Sequence, residues 1–113
     1  MHELSFCRSI LEIINKYVSE IKCQRVKKIY LEVGQLTAID ENALKFGFNI
    51  AAVGSIAEDA SLEIITIEGK AVCDFCRKTV RLKHYYDGCE ICGRFLLKVI
   101  QGEELRVKSM EVD

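Results

Sequence analysis

The chain has 113 residues, half of them hydrophobic, with 16 Lys and Arg against 17 Asp and Glu for a net charge of −1. That length allows one ordinary domain or a small domain carrying an insert, and the apolar fraction excludes wholesale disorder. Near-neutrality removes any global attraction to nucleic acid or an anionic membrane, and no apolar run approaches the ~20 residues that span a bilayer. Glu3, Glu12 and Lys16 interrupt any secretory signal core, so a cytoplasmic location is expected. Six cysteines in that reducing setting point to metal binding, not to a disulfide framework.

In chain order, Leu4, Cys7, Ile10, Leu11, Ile14, Tyr17, Val18 and Ile21 recur at three-and-four spacing and predict an amphipathic helix over 4–21. Val26 to Val33 reads as a strand that Gly34 breaks. Asp40 is placed to cap a second helix, Glu41 to Val53. Its Leu44, Phe46, Phe48, Ile50, Ala51 and Val53 cover a broad arc and predict heavy burial. A β-branched strand follows at Leu62 to Glu68, and a last strand at Leu105 to Val112. The apolar set of that last strand changes parity between Val107 and Met110, which predicts a bulge or an edge position. Two strands under two helices would be marginal, so the last strand must rejoin the sheet. The expected fold is α+β: a small antiparallel or mixed three-stranded sheet packed with two helices, plus an inserted zinc-ribbon-like domain. The expected boundaries are 1–69 and 100–113 for the α/β body and 70–99 for the insert.

The insert carries Cys73, Cys76, Cys89 and Cys92, two CxxC knuckles separated by twelve residues. Each knuckle can place two thiolates on one face of a tight turn, and a short hairpin between them would complete a soft tetrahedral site suited to Zn(II). Four unligated thiols or two disulfides are the competing readings. Four cysteine ligands leave no open coordination position, so such a zinc is structural. His84 lies in the interval and could replace a cysteine, although a loop histidine beside Tyr85 and Tyr86 is ordinarily solvated. Cys7 reads as a small buried hydrophobe, and Cys23 as a thiol near a helix end.

The insert holds seven Lys and Arg against three Asp and Glu, while the remainder holds nine against fourteen. An acidic body of that kind opposes nucleic-acid binding even though Phe75, Tyr85 and Tyr86 could stack on bases. At the other end, Met1 and His2 offer an amine, an amide nitrogen and an imidazole in succession. Those donors can close five- and six-membered chelate rings on one ion, and planar nitrogen coordination suits Ni(II) or Cu(II) over zinc. The fourth donor would be Glu3, through its backbone nitrogen or carboxylate, or an Asp folded nearby. A solvated, frayed terminus is the competing reading. Ser5, Ser9 and Ser19 have no evident histidine partner, so no enzymatic activity is expected.

Met1-His2-Glu3-Leu4-Ser5, Leu31-Glu-Val-Gly-Gln-Leu36 leading to Asp40, the two knuckles and Gly102-Glu-Glu-Leu-Arg-Val-Lys-Ser109 together resemble the HypA/HybF family, the nickel metallochaperones of NiFe-hydrogenase maturation. The resemblance runs over the whole chain. It implies Ni(II) as transported cargo at Met1, His2 and Glu3, a further nickel donor at Asp40, and structural Zn(II) at Cys73, Cys76, Cys89 and Cys92. The implied partners are a HypB-type GTPase and the hydrogenase large-subunit precursor, extending in some members to a urease accessory protein, with a homodimer also open. The chain has no GxxxxGKS or GxxxxGKT loop, so nucleotide hydrolysis would fall to the partner. The alternative from another class is a zinc-ribbon nucleic-acid-binding or transcription-associated module using Arg77, Lys78, Arg81 and Lys83. A third is a dithiol oxidoreductase, against which the paired knuckles argue.

Overall fold

A computed structural model describes residues 3–113 of the chain. Its first helix, α1, runs Glu3–Val18 and stops short of the predicted Ile21. The Ser19 hydroxyl takes the Lys16 carbonyl at 2.7 Å and the Glu20 amide reaches back only to Tyr17, so the last turn tightens and closes. Phe6, Cys7, Ile10 and Ile14 form the buried face, whereas Leu4, Tyr17 and Ile21 of the predicted stripe stand exposed.

Strand β1, Val26–Gly34, sends Val26, Ile29, Leu31 and Val33 inward. A single 3-10 turn at Gln35–Thr37 follows and leads to helix α2, Glu41–Ala51. Asp40 caps α2 as expected, its carboxylate accepting from the Ala43 amide at 3.1 Å. The predicted heavy burial of α2 does not occur: Leu44, Phe48 and Ala52 are buried, but Phe46, Ile50 and Val53 are each more than half exposed. The reason is the helical period. Positions 44 and 48 share one face and pack with α1, while 46, 50 and 53 lie on the opposite one.

Strand β2, Ser61–Ile67, and strand β6, Leu105–Val112, flank β1 in a three-stranded sheet of order β2-β1-β6. The last strand thus rejoins the sheet, at an edge, which accounts for its imperfect alternation. Between β2 and β6 lies a second three-stranded sheet made of β3 (Lys70–Cys73), β4 (Thr79–Arg81) and β5 (Leu97–Gln101), in the order β4-β3-β5 and antiparallel throughout.

The chain forms two compact units. The first comprises the chain up to Leu31 with Ile39–Ile65 and Arg106–Asp113, and its interior is the buried face of α1 against Leu44 and Phe48 of α2 and Val26, Ile29 and Leu31 of β1. The second comprises Glu32–Ala38 and Thr66–Leu105 and has two small cores. One gathers Leu36, Ala71 and Leu82 with Leu97 and Val99; the other gathers Cys73, Val80 and Cys89 with Leu97. Segment 32–38 belongs to this unit because backbone meets backbone there. The Gly34 amide donates to Glu104, the Leu36 amide donates to Gly102, and a Cβ on Gly34 would stand 2.0 Å from the Gly102 carbonyl oxygen. Only glycine permits that approach.

Candidate metal centre

The two knuckles are the same backbone device used twice. In the first, the Cys73 amide donates to Lys78 and the Cys73 carbonyl accepts from Arg77, at 3.1 and 2.8 Å. In the second, the Cys89 amide donates to Arg94 and the Cys89 carbonyl accepts from Gly93, both at 2.8 Å. The residue four past each leading cysteine must turn left-handed to close this loop: Arg77 has φ 64° and Gly93 has φ 77°. Glycine adopts that geometry freely, whereas arginine does so at a cost of ~1–2 kcal/mol. The first knuckle is itself the turn of the β3–β4 hairpin, with Val72 opposite Thr79. The interval between the knuckles holds one strand, β4, and a loop, not the hairpin the sequence suggests. In that loop the Asp87 carboxylate accepts from the Lys83 and His84 amides at 3.1 and 3.0 Å, and those bonds, His84's first, hold its carboxyl below the usual range.

This arrangement brings the four sulfurs within 4.8 Å of one another. The closest approaches are between knuckles, Cys73 to Cys92 at 3.6 Å and Cys76 to Cys89 at 3.8 Å. A tetrahedron with metal–sulfur bonds of about 2.3 Å has edges of about 3.8 Å, which the two inter-knuckle approaches match, so the cage is of the size that an ion such as zinc requires. Cys73 and Cys89 are buried and Cys76 and Cys92 half-buried, sealed on the inner side by Val80 and Leu97. Two of the thiols, Cys73 and Cys89, are already biased towards ligation. The Cys76 amide holds Cys73 below its usual range, and the Cys92 amide holds Cys89 down at about 7. At Cys76 the largest influence, the Lys78 amide, lowers the pKa. Burial and the neighbouring Cys73 and Cys89 sulfurs outweigh it and push the thiol up to about 11.

His84 is not part of the cage. Its exposed ring stacks on Tyr86 at 4.8 Å and its Nδ1 lies 3.5 Å from Asp87. The basic residues of this unit are partly spoken for: Arg81 pairs with Glu90 at 3.6 Å, and the Arg94 guanidinium lies 3.6 Å over the Phe75 ring.

Among the sequence-predicted nickel donors, Met1 and His2 lie outside the described residues. Glu3 opens α1 and is half-buried, and Asp40 is exposed at the start of α2. One Asp40 oxygen is occupied by the helix cap; no bond to the other occurs among the described residues. Both carboxylates belong to the first unit. Cys7 is fully buried there, as its place on the helical stripe suggests, and Cys23 is half-buried. What the sequence did not reveal was the left-handed residue after each knuckle. The glycine at 93 was the only visible signal, and an arginine at 77 hid its counterpart.

Fold and site together define a small α+β protein with two helices and a four-cysteine metal module. Over residues 1–112 the chain matches the family described as "Hydrogenase/urease nickel incorporation, metallochaperone, hypA". It is 49% identical, over the full length of both chains, to the hydrogenase maturation factor HypA of Legionella pneumophila (strain Lens), and 40% identical over the same span to that of Azotobacter chroococcum mcd 1. It shares the fold of the solution structure of the Ni metallochaperone HypA from Helicobacter pylori, with a TM-score of 0.71 at 23% identity over 99% of this chain and 97% of that one. The chain belongs to the HypA family of nickel metallochaperones, maturation factors for hydrogenase and not enzymes.

Proposed function

We propose that this protein binds Ni(II) through Met1, His2 and Glu3, with Asp40 as a further donor, and delivers it for assembly of NiFe-hydrogenase, with urease as a second destination. Cys73, Cys76, Cys89 and Cys92 hold a structural Zn(II). Residues 1–69 and 100–113 form the nickel-binding body in this reading, and 70–99 the zinc insert. The protein works in the cytoplasm with a HypB-type GTPase and the hydrogenase large-subunit precursor, and pairing as a homodimer is part of the same reading.

The observation that carries this proposal is the closure of the sulfur cage in a chain that belongs to a nickel-carrying family. Four thiolates at tetrahedral spacing satisfy an ion completely, and such a site retains metal well and exchanges it poorly. Cargo needs a second, more open site. The amine, amide and imidazole of Met1 and His2 provide in-plane donors suited to Ni(II), and the carboxylates of Glu3 and Asp40 stand in first turns, where incoming ligands can reach them. Transfer then proceeds by ligand exchange, one donor at a time, to the ligands of the recipient.

One added residue before Met1 tests this directly. It leaves His2 in place but removes the amine from its chelate ring, and calorimetric nickel affinity should collapse with zinc content unchanged. Undiminished nickel affinity would rule out the terminal chelate. Of the four basic residues that the nucleic-acid alternative would use, Arg81 is paired with Glu90 within the module.

A further inference from the structure

Cys7 is the one cysteine of the first unit that is wholly sealed from solvent, and neither metal site uses it. Its thiol lies 3.5 Å from the Leu44 carbonyl oxygen on the neighbouring helix, within reach of an S–H···O bond. Leu44 in turn donates its amide to the Asp40 carbonyl at 3.0 Å. On α1, Glu3 precedes Cys7 by four residues; on α2, Asp40 precedes Leu44 by four. Each carboxylate therefore sits one helical turn, about 6 Å along its axis, from the same thiol–carbonyl contact.

We propose that Cys7 is a positioning residue for the nickel site: its S–H···O=C bond to Leu44 fixes the register of α1 on α2, and with it the separation of the Glu3 and Asp40 carboxylates. The inference rests on the reading that these carboxylates serve nickel. Two further observations support it. Burial, and beyond it the Glu3 charge, push the Cys7 thiol up, so it keeps its proton and donates instead of ligating. Gly47 sits mid-helix, two turns from Asp40, where glycine is less favourable than alanine. A Cβ there would stand 3.4 Å from Cys7 Sγ, in van der Waals contact, so a longer side chain would meet the thiol.

The test uses the full-length, zinc-loaded protein and titrates Ni(II) by calorimetry into wild type, Cys7→Ala, Cys7→Ser and His2→Ala. Removing the donor should weaken nickel about tenfold, the scale of a lost outer-shell contact. Helical circular dichroism and zinc content should stay at wild-type values. Cys7→Ser, which keeps an O–H donor, should recover most of the loss. The nickel ligand-field absorption should keep its position in both Cys7 variants, because the ligands are unchanged. Wild-type affinity in Cys7→Ala would overturn the proposal, and so would a serine variant no better than alanine. A sulfur-to-nickel charge-transfer band that vanishes in Cys7→Ala would also overturn it by making Cys7 a ligand. Should the alanine cavity unfold the helix pair, Cys7→Val fills the volume without a donor and decides the question on the same readouts. Wild-type nickel binding in His2→Ala would defeat the nickel reading itself, whereas loss there with none in Cys7→Ala defeats only the role of Cys7.

Discussion

In the cysteine module each pair of donors is carried by a loop whose backbone is bonded to itself within five residues, and two of the four sulfurs are buried. In the first unit, Glu3 and Asp40 instead stand at the first turns of two helices, one half-buried and the other exposed. The module builds its donors into the fold, so that losing a metal bound there would loosen the local structure. The helices need no metal to form, since a packed face of Phe6, Ile10, Ile14, Leu44 and Phe48 holds them. In the proposed reading the contrast lets one short chain keep one ion and give up another: the four cysteines are built into the core of their module, whereas the helices that carry Glu3 and Asp40 are held by apolar packing.

The largest effect should come from breaking the first half of that contrast. Cys89→Ala removes a proposed zinc ligand that is also a core residue, and structural zinc contributes about 10–16 kcal/mol of apparent folding free energy in small zinc modules. Amide resonances of residues 66–105 should collapse to unfolded positions while those of α1 and α2 persist. Collapse of the helices as well would mean that the two units are not independently held. Acidification should act more gradually on the same cage. Cys76, pushed up to about 11, must release its proton to metal at any ordinary pH, whereas Cys89 at about 7 is ionised only above that value. The contribution of the Cys89 thiolate is therefore present above about 7 and lost below it. Zinc affinity measured against a competing chelator should fall with decreasing pH, its slope steepening by about one proton as pH passes below about 7.

At the helical end, Asp40→Ala should remove the cap of α2 and cost ~1 kcal/mol in urea unfolding. It should also weaken nickel and leave zinc untouched; equal loss of both metals would dissolve the contrast. The smallest change is a gain. Arg77→Gly relieves ~1–2 kcal/mol of left-handed strain and adds ~0.5–1 kcal/mol of unfolded-state entropy. A net stabilisation of about half a kcal/mol should appear as a slightly higher melting temperature of the zinc-loaded protein.

Much of this was legible in the residues. CxxC spacing states its chemistry locally, so all four sulfurs could be assigned before any fold was known, and Asp40 before an apolar-rich stretch announces its cap. The exposure of Phe46, Ile50 and Val53 was not legible. They are as apolar as Leu44 and Phe48, and only the position of α1 decides which stripe is covered. Segment 32–38 joins the second unit for an equally non-local reason, the contact of Gly34 with Gly102 some seventy residues away. Glycine marks such a site without naming its counterpart. The first pair of proposed nickel donors, Met1 and His2, lies outside the described residues.

In the proposed function two ions are held by two separate sets of donors. The direct measurement is metal content by mass spectrometry of purified protein, before and after nickel loading, in wild type and His2→Ala. Wild type should carry one zinc and take up one nickel, and His2→Ala should keep the zinc and take up none. Nickel that binds His2→Ala in full, or that enters only by displacing zinc, would contradict the account.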